Sequence, residues 1–149
     1  MQAIVAAGSA LMPGLPTARA AVPEPPYAVL AEQAELNIIG RVVNVHARSV
    51  RPDWLAQRTD LTPAQRSRIR DTHYTVTIRV LTVEKGSATL GGSLLVFHGW
   101  GASERPTGWA GPRGTLNSPP AIGNRVKVLL KHGGDGWDLF AESGLDVLP

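Results

Sequence analysis

The sequence predicts a small all-β barrel of five strands, and three observations carry that prediction. Apolar residues recur mainly with period two, in runs that glycine-containing turns bring to an end. Two of the runs change phase part-way, as strands do when they carry a bulge. Helix-favouring sequence is confined to two short stretches, so the strand–helix–strand rhythm of a doubly wound sheet is missing.

The elements follow in order. Residues 27–35 are Ala-rich and unbroken, which predicts a short helix before the first strand. Residues 36–47 form the first strand. Its doublets Ile38-Ile39 and Val42-Val43 around Gly40 predict a bulge or a strong bend. Residues 73–84 form the second strand. Tyr74, Val76, Ile78 and Val80 face one way, and Thr75, Thr77 and Arg79 the other. Leu81 and Val83 then take up the apolar set, which a bulge near Val80 and Leu81 explains. Gly91-Gly92 opens a third strand, residues 93–98. In residues 124–131, Val126, Val128 and Leu130 alternate with Lys127 and Lys131, while Leu129 interrupts the polar face. The run Gly133-Gly134-Asp135-Gly136 is a strong hairpin turn, and residues 137–141 return as the fifth strand.

Composition bounds what such a chain can be. Its 149 residues are 43% hydrophobic, enough for one core in one domain. Charged residues are 18%, below the roughly 25% of an average domain. With 16 glycines and 12 prolines it is rich in turns. The absence of cysteine excludes disulfides, Cys-ligated zinc, iron–sulfur clusters and thiol catalysis. No apolar run reaches the roughly 20 residues that span a bilayer as a helix.

The first 20 residues read as a signal peptide. Residues 3–12 are apolar or small and uncharged, and Ala18-Arg19-Ala20 presents small residues at the two positions a signal peptidase reads. The basic segment that normally precedes such a run is missing or truncated. On this reading the mature protein starts near Ala21, and residues 21–26, with Pro23, Pro25 and Pro26, are an extended lead-in to a single domain over 27–149. The expected location is periplasmic or extracellular.

The runs "Ile-Gly-Arg-Val-Val-Asn-Val", "Tyr-Thr-Val-Thr-Ile-Arg-Val-Leu-Thr-Val-Glu-Lys-Gly", "Gly-Gly-Ser-Leu-Leu-Val-Phe" and "Ile-Gly-Asn-Arg-Val-Lys-Val-Leu-Leu", then "Asp-Gly-Trp", follow one another behind the Ala-rich helix. In this order, over residues 27–149, the chain resembles the netrin-like module and the N-terminal domain of tissue inhibitors of metalloproteinases. The resemblance implies a five-stranded OB-type barrel in an extracytoplasmic setting. Those inhibitors chelate the protease zinc through a disulfide-bonded N-terminal cysteine. This chain has no cysteine, so that mechanism does not carry over.

Two insertions are the candidate functional segments. The first joins strands one and two. Residues 48–70 hold six arginines against two aspartates, more positive charge than the net +3 of the whole chain. Thr62, Pro63 and Gln65 predict a short helix from Pro63 to about Arg70: Thr62 caps it, Pro63 takes the first position and Gln65 completes the capping box. Such a helix sets Arg66 and Arg70 on one face, where guanidinium forks can grip phosphate, sulfate or carboxylate. Equally, these arginines can pair with Asp60 and Asp71 on a solvated helix. The second insertion, residues 99–123, is long and rich in glycine and proline, and it carries Trp100 and Trp109. These indoles can stack on a sugar ring, a base or a partner's side chain, or fold back to cap the barrel end.

The catalytic inventory is thin. His46, His73, His98 and His132 stand in no metal-ligand spacing, and no Ser lies in a nucleophile elbow. No residue is singled out as catalytic or metal-binding, and nothing calls for a cofactor. The sequence therefore predicts an exported, non-catalytic interaction or inhibitor-like module for a protein partner, using Trp100 and Trp109. The alternative is a binder of a polyanion or oligosaccharide, such as an envelope polymer, through the arginines of 48–70. Export argues against nucleic acid. An enzyme, the third class, requires histidines and carboxylates to converge in one pocket.

Overall fold

The computed structural model describes residues 24–149; the signal peptide read over 1–20, and residues 21–23 of the lead-in, lie outside the described residues. The protein is mostly β. Helix α1 (Tyr27–Gln33) leads into strand β1 (Leu36–Val50); helix α2 (Pro63–Arg68) follows, then β2 (Asp71–Lys85), β3 (Leu94–Ala102), β4 (Arg125–Gly133), β5 (Gly136–Leu139) and β6 (Leu145–Leu148). The six strands form one mixed sheet in the order β1-β2-β3-β5-β4-β6. A further pairing of β1 with β4 closes it partly into a ring. All neighbours are antiparallel except β3 and β5, which run parallel and meet at only two residue pairs, Phe97 with Trp137 and His98 with Asp138.

Both expected bulges are present, and they decide which apolar residues go inside. Between β1 and β2, Ile39 pairs with Thr82 and Gly40 with Val80, so Leu81 is skipped. Val42 pairs with Ile78 and Asn44 with Thr77, so Val43 is skipped. A third shift, between Asn37 and Ile38, skips Glu84. The apolar extra residues, Val43 and Leu81, stand exposed, while Val42, Val76, Ile78 and Val80 are buried. Gly40 lies between the irregularities at Leu81 and Val43 for a steric reason. A Cβ there would come within 2.9 Å of both the Arg79 carbonyl oxygen and Ile78 Cδ1.

Inside the ring, Leu36, Ile38, Phe97, Val126, Val128 and Leu130 join the four buried residues of the bulged region in one core. A second, smaller cluster covers the outside. Leu30 and Ala34 of α1 pack on Leu129. That explains the one apolar residue on the otherwise polar face of β4: Leu129 is fully buried under the helix.

The expectation of five strands needs a correction, since the sheet has a sixth. β5 and β6 lie end to end along one edge of β4, pairing with residues 130–133 and 125–128 respectively. A 3-10 turn at Glu142–Gly144 separates them. Four residues are too few to show a convincing alternation, and neither Asp146 nor Val147 of β6 is buried. The third strand also runs longer than residues 93–98, to Ala102, and so takes in Trp100.

The tight seat of Gly40 predicts that Gly40→Val lowers unfolding free energy by about 2–4 kcal/mol, as overpacking beside an immovable carbonyl does. A urea or thermal melt of the variant measures it, and a loss under 1 kcal/mol would show that the strand can shift to make room.

Candidate functional site

Cross-strand register brings polar residues into one row. His46 on β1 pairs with Thr75 on β2, and Thr75 pairs with His98 on β3. His98 is in register with Asp138 on β5, and Asp138 with Lys131 on β4. Directly paired residues share a face of a sheet, so five strands each contribute one polar side chain to a single band. Two residues along, Arg48, His73 and Trp100 form a second row on β1, β2 and β3. Both rows line a cleft of about 540 Å³, with Tyr74, Thr115 and Phe140 also in its wall.

Local structure fixes several of these groups. Thr75 Oγ1 lies 3.4 Å from His98 Nδ1. The Asp138 carboxylate sits over Gly133, in the space a Cβ would occupy. Asp135 and Gly134, in the β4–β5 turn, close one end. Among the described residues, no hydrogen bond joins His98 to Asp138, and no three His, Asp or Glu are arranged to hold a metal ion. His46, His73 and His98 do converge with Asp135 and Asp138 on this one cleft, which is the convergence an enzyme requires. His132 lies apart, stacked on Trp137 at 4.0 Å with its Nδ1 2.5 Å from Glu35 Oε1.

The two insertions dock on each other beside this cleft. The Arg105 guanidinium pairs with Asp71, and its side chain is only 1% exposed. Its central carbon stands 5.4 Å from the Trp54 ring, 5.5 Å from Trp109 and 5.9 Å from Trp100. All three distances fall within the roughly 6 Å at which a ring quadrupole attracts a cation. Trp54 belongs to the first insertion, in the 3-10 turn Asp53–Gln57, and stacks on Trp109 of the second at 4.9 Å. Ser103 ties the same segments by accepting from the Arg70 backbone N–H and donating to the Arg68 and Arg70 carbonyls. Arg68 pairs with Glu104.

The four residues singled out from the sequence therefore divide. Trp100 lines the cleft. Trp109 stacks within the docked loops, and its Nε1 donates to the Pro112 carbonyl. Arg66 donates to the carbonyls of Arg58 and Leu55, fastening α2 to the 3-10 turn. Helix α2 has the expected capping box, but it ends at Arg68, so Arg70 lies beyond it and the two do not share a helix face. Arg58 forms a two-pronged pair with Asp60 at 2.7 Å, and this fork holds the Asp60 carboxyl down to about 2. Among the six arginines of 48–70, only Arg48 reaches the cleft.

Sequence reasoning missed His46, Arg48, His73, His98 and Lys131 as members of one site. Their signal is there in part: each occupies a polar position of an alternating strand. Only the register places those positions in line. Among the described residues, no helix is long and apolar enough to cross a membrane. Compared with known proteins, the chain matches no family model, no curated protein and no solved structure.

Two outcomes are expected of this arrangement. Arg105→Ala empties the aromatic cage and strands a part-buried Asp71, which costs about 2–4 kcal/mol of stability in a denaturant melt. A loss under 1 kcal/mol would mean the indoles hold the loops unaided. Arg58→Ala raises the Asp60 midpoint from about 2 toward the ordinary value of roughly 3.9 in an NMR titration. The sign follows from the lowered carboxyl: the pair stabilises the fold above the unfolded carboxyl's pKa, and that contribution is lost as pH falls through about 2.

Proposed function

We propose that the protein is an exported, non-catalytic binding module built on an OB-type barrel, and that its ligand is an anionic molecule seated in the cleft of β1, β2, β3, β5 and β4. The strand order β1-β2-β3-β5-β4 with a return pairing to β1 supports the barrel reading, as does the parallel contact of β3 with β5. The cleft opens beside the β1–β2 and β4–β5 connections. Barrels of this type use the corresponding loops, with the face of strands two and three, for oligonucleotides and oligosaccharides. The likeness to netrin-like modules stays part of the proposal and rests on strand order. Export rests on the pattern of residues 3–20.

The observation that carries the anionic ligand is the band of side chains itself. Arg48 and Lys131 bring positive charge to its two ends, and His46, His73 and His98 fill it with imidazoles that can donate to an oxyanion. The arginines of the first insertion support this less well as a ligand site. Arg58, Arg66 and Arg68 already hold Asp60, two backbone carbonyls and Glu104.

A short polyphosphate is a suitable probe, titrated calorimetrically at several salt concentrations. Arg48→Ala and Lys131→Ala are each expected to weaken binding and to reduce the salt slope by about 1. Arg70→Ala is expected to change neither. An affinity flat in salt, or one lost with Arg70 and kept without Arg48 and Lys131, would overturn the assignment to the cleft.

A protein partner is the second reading. Leu94 and Val96 stand exposed along β3, on the face that carries His98 and Trp100. If Ala at both Trp100 and Trp109 left every affinity-captured partner in place, that reading would fail.

A further inference from the structure

We infer that the ligand of the cleft is an acidic oligosaccharide, a chain of sugars bearing carboxylate or sulfate groups; this rests on the proposal that the cleft binds an anion. The cleft is not uniformly basic. Arg48 and His73 stand at one end, on β1 and β2, while the other end has Lys131 beside Asp135 and Asp138. A polymer with a charge on every unit, such as a polynucleotide or polyphosphate, would have to set an anionic group against those two carboxylates. Like charges set against each other in this way disfavour such a ligand, although Asp135 is exposed and Asp138 half-buried, so that screening softens the effect. A sugar chain has hydroxyls between its charged groups, and a hydroxyl donates to a carboxylate in a charge-assisted bond.

The rest of the lining fits the same chemistry. Trp100 offers an indole beside the imidazoles, with Tyr74 and Phe140 in the wall. An aromatic face accepts the apolar C–H face of a sugar ring, while Thr75 and the imidazoles offer hydrogen-bonding groups to its hydroxyls. Single-stranded nucleic acid needs a platform of successive exposed aromatics along the strand path. Here Trp54 and Trp109 are occupied with each other and with Arg105, and Trp100, the one indole in the lining, also has that guanidinium 5.9 Å from its ring, so the cleft offers no such platform. The dimensions suit a chain rather than a single unit. The row from His46 to Lys131 crosses four strand-to-strand steps of ~4.8 Å, about 19 Å along the surface.

The deciding residue is Asp138, because the two ligand classes give opposite signs. Asp138→Asn keeps the shape and removes the charge. Calorimetry on the full chain, with an oligomer of uronic acid, the neutral oligomer of the same sugar, polyphosphate and oligothymidylate as probes, reads the result. The uronate oligomer is expected to bind at least about tenfold tighter than the neutral one, because the neutral chain gives up its charge-assisted bonds. Asp138→Asn is expected to weaken the uronate oligomer about fivefold by turning a charged acceptor into a neutral one. The same change is expected to strengthen polyphosphate. If Asp138→Asn tightens both ligands, or if the uronate oligomer gains nothing over the neutral chain, the sugar inference fails while the anion reading stands. Oligothymidylate binding tighter than the uronate oligomer would also overturn it, in favour of single-stranded nucleic acid. If neither polyphosphate nor the uronate oligomer responds to Arg48→Ala and Lys131→Ala, the anion reading itself fails.

Discussion

Ring closure depends on one strand serving two partners. Over residues 37–41, β1 pairs with β2 on one side and β4 on the other, so the sheet must curl sharply there. Curling needs local twist, which bulges increase, and close backbone approach, which only glycine allows at residue 40. Everything that follows uses this curl. It turns Ile38, Val42, Val80 and Val126 into a shared interior. It also carries β4 round to the far side of β5, so that Lys131 ends the row that His46 begins.

The insertions are held by a second device, which has little to do with the core. A nearly buried guanidinium stands among three indoles and pairs with Asp71 at the start of β2. A long glycine-rich segment has few side chains with which to anchor itself. This one gains three attachments. Gly101 bridges to Gly114 in a short antiparallel contact, Leu116 enters the core against Gly99, and Arg105 enters the aromatic cage. The glycines matter through closeness: a Cβ on Gly101 would lie 2.6 Å from the Leu116 carbonyl oxygen. The wall of the cleft at Thr115 and Trp100 is thereby part of a fixed structure, with Thr115 N–H donating to the Trp100 carbonyl.

Much of the architecture was legible because strand periodicity and phase breaks are local signals. The bulge at Leu81 followed from a single flip of phase, and the α2 cap from four consecutive residues. The burial of Leu129 was not legible, since its cover comes from α1, about a hundred residues earlier. The site was less legible for the same reason. Arg66 has the right chemistry and the wrong surroundings: two carbonyls of the neighbouring turn take its donors. The cleft residues come from five separate stretches of chain, and those on strands meet through register, which alternation along one strand does not specify. Trp100 and Trp109 looked equivalent in sequence. They differ because β3 runs on through Trp100 and stops at Ala102, leaving Trp109 to the docked loop.

The clustering of indoles has a consequence for how this protein reports on itself. Three of its four tryptophans surround one arginine at the junction of the insertions, and the fourth, Trp137 on β5, stacks on His132 of β4. The interior of the ring has Phe97 as its only fully buried aromatic. Trp137 packs against the main core, so tryptophan emission reports mainly but not solely on loop docking, and backbone circular dichroism on the sheet. Loops that open as a local unit do so at lower free energy than global unfolding, and non-coincident transitions by two such probes are the sign of it. The molecule thus carries distinct optical labels for the sheet that holds its shape and the docked loops that border the cleft.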